Sequence, residues 1–109
     1  MLPDTLSRIE KKLKDSAIPP EKKTELLKLF ANLKTEITEL AKTKQEQSES
    51  IAGFTHISAH EAVRQKQNPQ LLKLSLEGLI SSVKEFEASH PKLADSVNRI
   101  CSILSNLGI

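Results

Sequence analysis

The chain has 109 residues, of which 28% are charged and 38% are hydrophobic, and its formal net charge is +2. It contains three glycines, three phenylalanines and no tryptophan or tyrosine, a composition that favours helices over a β-sheet. Residues 1–50 hold ten basic and nine acidic side chains, and the remainder holds six and five. This even charge disfavours nucleic acid as a partner. The length predicts one small domain over residues 1–109.

One cysteine, Cys101, excludes an internal disulfide and favours a reducing compartment. No stretch approaches the roughly 20 apolar residues of a membrane span, and the N-terminal residues lack the apolar core of a signal peptide. We therefore expect a cytoplasmic protein without a membrane span.

Two helices are predicted in the first part of the chain. Leucine and isoleucine at steps of four and three predict a short helix over 3–16, and Pro19-Pro20 ends it. Pro20 suits the first turn of a second helix. Its apolar stripe consists of Leu26, Phe30, Leu33, Ile37 and Leu40.

The polar stretch after Leu40 leaves two alternatives open. One is a single helix of more than 40 residues; the other is a break, with a mobile or kinked connection over about 42–57. Gly53 and the order Ser58-x-x-Glu61 favour the break, because a serine followed three residues later by glutamate can cap a new helix. We therefore expect a short extra helix near 58–67.

The strongest pattern lies between residues 71 and 107. Asn68-Pro69 predicts the start of a helix that runs to about Ala88, and Pro91 the start of another that runs to about Leu107. Their apolar stripe consists of Leu72, Leu76, Leu79, Val83, Phe86, Leu93, Val97, Ile100, Leu104 and Leu107. The stripe keeps its spacing across Pro91, so either a hairpin or one kinked helix fits; the short connection favours the hairpin.

Two glycines in these helices carry predictions of their own. Ser75, Gly78 and Ser82 form a row of small residues beside the stripe, which would let a neighbouring backbone approach closely. Gly108 and Ile109 fit a Schellman ending in which the isoleucine packs on Leu104.

The sequence Phe86-Glu87-Ala88-Ser89-His90-Pro91-x-Leu93, with the terminal Leu107-Gly108-Ile109, resembles a bacterial family catalogued as domain of unknown function 4404. The resemblance covers most of the chain and implies a bacterial, cytosolic, helical protein. It supplies no activity, ligand or catalytic residue. Between about 48 and 68 the chain departs from the shorter family pattern and carries an insertion.

His56 and His60 are the candidate metal ligands. Histidines four apart share one helix face and can reach one ion. Glu61 points about 100° away from His60, and the HExxH order is absent. We therefore expect exposed or capping histidines and no metal site or cofactor.

The remaining candidate residues favour structural roles. At the joint, either the His90 ring fills a position of the apolar stripe or Ser89 caps the last helix. Cys101 is expected to be a small, buried apolar residue. The basic residues Arg8, Lys11, Lys12 and Lys14 resemble a membrane-surface helix, but interspersed acidic residues favour a solvated face. No phosphate loop or nucleophile motif is present, so no catalysis is expected.

Together these patterns predict an all-α, antiparallel bundle of four main helices with a possible fifth. The stripe from 72 to 107 exceeds what the first two helices can cover, which favours a homodimer or a protein partner. The predicted function is binding without catalysis. A metal-binding protein using His56 and His60 and a nucleic-acid-associated regulator are the alternatives.

Overall fold

The computed structural model describes residues 2–107 and shows a helical bundle with no strand over that range. Its principal extents are 37 × 23 × 23 Å. The predicted all-α class is confirmed. The helices are α1 (Leu2–Asp15), α2 (Pro20–Leu40), α3 (Gln45–Val63), α4 (Pro69–Val83) and α5 (Pro91–Leu107), with a 3₁₀ turn at Lys84–Phe86.

The five helices pack as a closed ring. Around it, α1 contacts α3, α3 contacts α4, α4 contacts α5, α5 contacts α2, and α2 contacts α1. Short connections make consecutive helices antiparallel, so α1 and α3 run parallel. The core lies inside this ring, where α3 also contacts α2 and α5.

The apolar stripes predicted from spacing form that core. Every stripe residue from α1, α2, α4 and α5 is buried except Leu107, which is partly buried. The largest side chains that are fully enclosed include Phe30, Ile9, Leu33, Ile37, Leu79 and Leu93. The stripe from 72 to 107 is therefore covered within one chain, and the helix that supplies the missing cover is α3.

A fifth helix is present, but its bounds differ from the prediction. The connection after α2 spans only residues 41–44, not 42–57, and α3 runs unbroken from Gln45 to Val63. Ser58 does not cap a new helix: it lies in the middle of α3, fully buried, and its hydroxyl has no hydrogen-bond partner within residues 2–107. Most of the stretch predicted to be an insertion lies in α3, which forms one side of the core.

The break falls at Lys44 because of backbone geometry. Turn hydrogen bonds join Lys42 to Glu39 and Lys44 to Leu40, and Lys44 then leaves the helical region with φ −131° and ψ 64°. The amide of Ser48 donates to the Lys44 carbonyl at 3.0 Å and begins α3. Two helices thus replace the one long helix.

The joint at Ser89-His90-Pro91 is a hairpin. The side chain of Gln67, just before α4, donates to the carbonyl of Leu107 at the end of α5 at 3.0 Å.

α4 itself ends at Val83, earlier than the predicted Ala88, because the chain tightens into the 3₁₀ turn that places Phe86 in the core. The predicted cap at Asn68 is confirmed, since its side chain accepts from the Leu71 amide. The predicted ending at Gly108 and Ile109 lies outside the described residues.

Candidate functional site

Exposed apolar side chains are concentrated on two neighbouring helices. Within residues 2–107 the exposed large hydrophobic residues are Phe54 and Ile57 on α3 and Leu71, Leu74 and Ile80 on α4. Leu74 is 55% exposed and Ile57 is 48% exposed. Contiguous apolar surface that a chain leaves exposed is typical of an interaction site.

Four of these side chains form one patch across α3 and α4. The Phe54 ring lies directly over Gly78, where an added Cβ would be 2.6 Å from the ring Cδ1. Ile57 follows Phe54 by about one turn on α3, and Leu74 precedes Gly78 by about one turn on α4. We call Phe54, Ile57, Leu71 and Leu74 the α3–α4 patch.

A groove lies on the opposite side of α4, between α4 and α5, with a volume of about 840 Å³. Leu72, Leu76 and Cys101 contribute its buried apolar lining, and Ile80 is an exposed part of it. Its polar lining includes Lys73, Glu77, Asn98, Ser102, Ser105 and Asn106. The exposed face of α4 thus has apolar surface on both sides.

A second feature lies between α1 and α3, where basic side chains meet. Lys12 Nζ is 3.1 Å from Nδ1 of His60. His56 lies one turn before His60 on α3, and Arg8 one turn before Lys12 on α1. We call Arg8, Lys12, His56 and His60 the α1–α3 basic cluster.

The electrostatics of this cluster are consistently positive. Partial burial, followed by the effects of Lys12, His60 and Arg8, holds the pKa of His56 below its usual value of 6.5. A nearby carboxylate would act in the opposite direction. Within residues 2–107 the ion pairs involve Lys42, Arg64 and Arg99, so neither Arg8 nor Lys12 is paired with a carboxylate.

Glu61 is separate from the two candidate histidines. It is buried, and its Oε1 accepts from Nη1 of Arg64 at 2.8 Å. Across residues 2–107, no group of three or more His, Cys, Asp or Glu residues is placed to hold a metal ion. The Lys12 ammonium lies at hydrogen-bond distance from Nδ1 of His60, so this nitrogen is not free to bind a metal ion. The positive charges of Lys12 and Arg8 also oppose the binding of a divalent cation.

His90 and Cys101 occupy structural positions. The His90 ring lies edge-on to Phe86 with centroids 5.7 Å apart, and its Nδ1 is 2.9 Å from the Ser89 hydroxyl. Cys101 is buried, and burial raises the pKa of its thiol to about 11. A thiol with that pKa is protonated at neutral pH and is a poor nucleophile.

Sequence reasoning treated these residues separately. It considered the basic residues of α1 as a surface and the histidines as metal ligands, and only the packing of α1 on α3 brings them together. The apolar residues of α4 could have been noticed, because Leu71, Leu74 and Ile80 lie outside the stripe formed by Leu72, Leu76 and Leu79.

A family model described as Domain of unknown function (DUF4404) matches residues 2–109. The chain belongs to this family. For this DUF4404 chain, a search of curated proteins found no match, and a search of solved structures found none. The resemblance carried by the residues around His90 is thereby confirmed, and the match includes all of α3.

Between residues 2 and 107 of this DUF4404 protein, no helix combines the length and the apolar character that a membrane span requires.

Proposed function

We propose that the protein functions by binding, without catalysis, and that the exposed face of α4 pairs with α4 of a second copy. The supporting observation is the placement of the exposed large apolar side chains, which lie on α3 and α4 alone among residues 2–107. Pairing two such faces would bury Leu74 and Ile80 of both copies. The free-energy gain would be roughly half of the about 1.5–3 kcal/mol that full burial of a large side chain gives, because Leu74 is 55% exposed and Ile80 41% exposed before pairing.

The charges on this face favour a second copy as the partner. Lys73 and Glu77 lie one turn apart on the side of α4 that faces the groove. When two α4 helices pair antiparallel about a two-fold axis that crosses the exposed face midway between Lys73 and Glu77, Lys73 of each copy lies opposite Glu77 of the other. Such a two-fold interface uses the same surface on both copies, and the pairing requires no charge from another protein.

The buried cysteine supports a reducing location as part of the same proposal. Cys101 lies in the core and has no disulfide partner. Proteins of oxidising compartments commonly use their cysteines in disulfides. We therefore propose a cytoplasmic binding protein, which fractionation of the native cell with an antibody to the chain would test.

Sedimentation velocity between about 1 and about 100 µM tests the self-association. We expect the unsubstituted chain to dimerise in this range and Leu74→Lys to weaken dimerisation at least about tenfold, because both copies lose the burial of the exposed half of this leucine. Ala31→Lys, at an exposed position of α2, introduces the same charge and should dimerise normally. An unsubstituted chain that stays monomeric throughout would contradict the proposal.

A further inference from the structure

We propose that the α1–α3 basic cluster binds a small phosphate-type oxyanion, either inorganic phosphate or a soluble phosphomonoester. The proposal is independent of the α4 interface, which lies on another side of the ring. It rests on four basic side chains gathered between two helices, none of which forms an ion pair with a carboxylate within residues 2–107.

The cluster supplies directed donors. Lys12 is partly buried and uses one proton toward Nδ1 of His60, so its ammonium retains two further N–H donors. This hydrogen bond fixes His60 as the tautomer that carries its proton on Nε2. Arg8 is exposed and, within residues 2–107, has no carboxylate partner. A guanidinium fork matches the geometry of phosphate oxygens. His56, half-buried beside them, adds another N–H.

The charge of the cluster matches a phosphate dianion. With neutral histidines, Arg8 and Lys12 carry two positive charges, and a phosphate monoester carries about −1.5 to −2 near neutral pH. Besides burial, the basic groups that lower the pKa of His56 are Lys12 and Arg8 from α1 and His60 from its own helix. Asp4 and Asp15 flank them along α1 but lie outside ion-pair distance. A bound dianion would therefore stabilise the protonated form of His56.

The position of the cluster favours a free anion over a lipid headgroup. A helix that lies on a membrane inserts its apolar face between lipids. The apolar residues of α1, which are Leu2, Leu6, Ile9 and Leu13, are all buried in the core. The basic side of α1 is therefore exposed, but these apolar residues are not available to insert into a membrane.

The test is a titration of the full-length chain with sodium phosphate at constant ionic strength, followed by NMR of the histidine ring protons. We expect saturable shifts for His56 and His60 with a Kd of about 1 mM or lower, together with a higher pKa of His56. His90 lies at the opposite end of the bundle and serves as an internal reference. Shifts of His56 and His60 no larger than those of His90 up to about 20 mM phosphate would overturn the proposal.

Matched variants separate a site from general attraction. Lys12→Gln should weaken phosphate binding about tenfold or more, because a charge-assisted hydrogen bond is lost. Lys11→Gln removes the same charge from the neighbouring exposed position and should leave the Kd within about twofold. Equal weakening by the two substitutions would overturn the site. If Lys12→Gln loses its helical circular dichroism, Arg8→Gln provides the same comparison.

Vesicles of phosphatidylcholine with phosphatidic acid distinguish the source of the phosphate. We expect no co-sedimentation of the chain with these vesicles while free phosphate binds. Co-sedimentation without any response to free phosphate would overturn the proposal of a soluble ligand.

Discussion

Gly53 and Gly78 lie in helix interiors but differ in their surroundings. A Cβ added at Gly53 meets nothing within 4 Å, whereas a Cβ at Gly78 would overlap the ring of Phe54. Sequence reasoning expected a close approach at Gly78 and assigned it to a neighbouring backbone. The approach is real, but the neighbour is an aromatic side chain of α3.

This difference predicts opposite results for the same substitution. Gly53→Ala should raise the free energy of unfolding by about 1 kcal/mol, because alanine has the higher helix propensity and meets no obstacle. Gly78→Ala should fail to raise it, since the new methyl displaces the ring. Chemical denaturation measures both values.

The control for the Gly78 substitution is a variant that lacks the Phe54 ring. In a Phe54→Ala background, Gly78→Ala should recover the gain of about 1 kcal/mol, which a double-mutant cycle would detect as coupling. A full gain from Gly78→Ala with Phe54 intact would contradict this account of the contact.

His56 predicts a pH dependence of stability. Its pKa is below 6.5 in the folded chain because of burial, Lys12, His60 and Arg8. The unfolded chain therefore binds this proton more readily, so the stability present above pH 6.5 falls as the pH is lowered through the folded pKa.

Denaturation of the unsubstituted chain and of His56→Gln between about pH 7.5 and about pH 5.5 isolates this effect. The stability of the unsubstituted chain should fall more steeply with acid than that of the variant, measured without phosphate. Parallel curves would show that His56 does not titrate with a lowered pKa.

At the scale of helices, the sequence predicts four of the five elements because their signals are strong. Large apolar residues at regular spacing and the Asn68-Pro69 start identify α1, α2, α4 and α5. α3 was partly missed because its buried side is made chiefly of alanine, serine and threonine, which hydropathy does not separate from a polar loop. The small residues allow close packing, and only contacts with α1 and α4 show that this side is buried.

The integral position of α3 predicts its protection from hydrogen exchange. Amides from Ile51 to Ala62 should exchange about as slowly as those of α4, since exchange from both requires opening of the same core. Hydrogen–deuterium exchange read by NMR gives this comparison. Exchange across α3 as fast as in residues 41–44 would instead support the mobile connection.

At the scale of the molecule, the closed ring of five helices changes the reason for proposing a dimer. The apolar spacing predicts a second copy or a protein partner because the first two helices cannot cover the stripe, but α3 covers it. The proposal now depends on the outer face of α4, where Leu74 and Ile80 remain exposed. Spacing alone shows that Leu74 and Ile80 lie outside the stripe, whereas the basic cluster depends on which helices become neighbours.

Charge reversal on α4 tests the central proposal most directly, with the dimer Kd measured by sedimentation. Lys73→Glu alone and Glu77→Lys alone should each weaken dimerisation about tenfold, because each turns two attractive pairs into two repulsive ones. The double variant should restore the original Kd, since the pairs are re-formed with exchanged signs. A double variant as weak as the single variants would contradict the antiparallel pairing of two α4 helices.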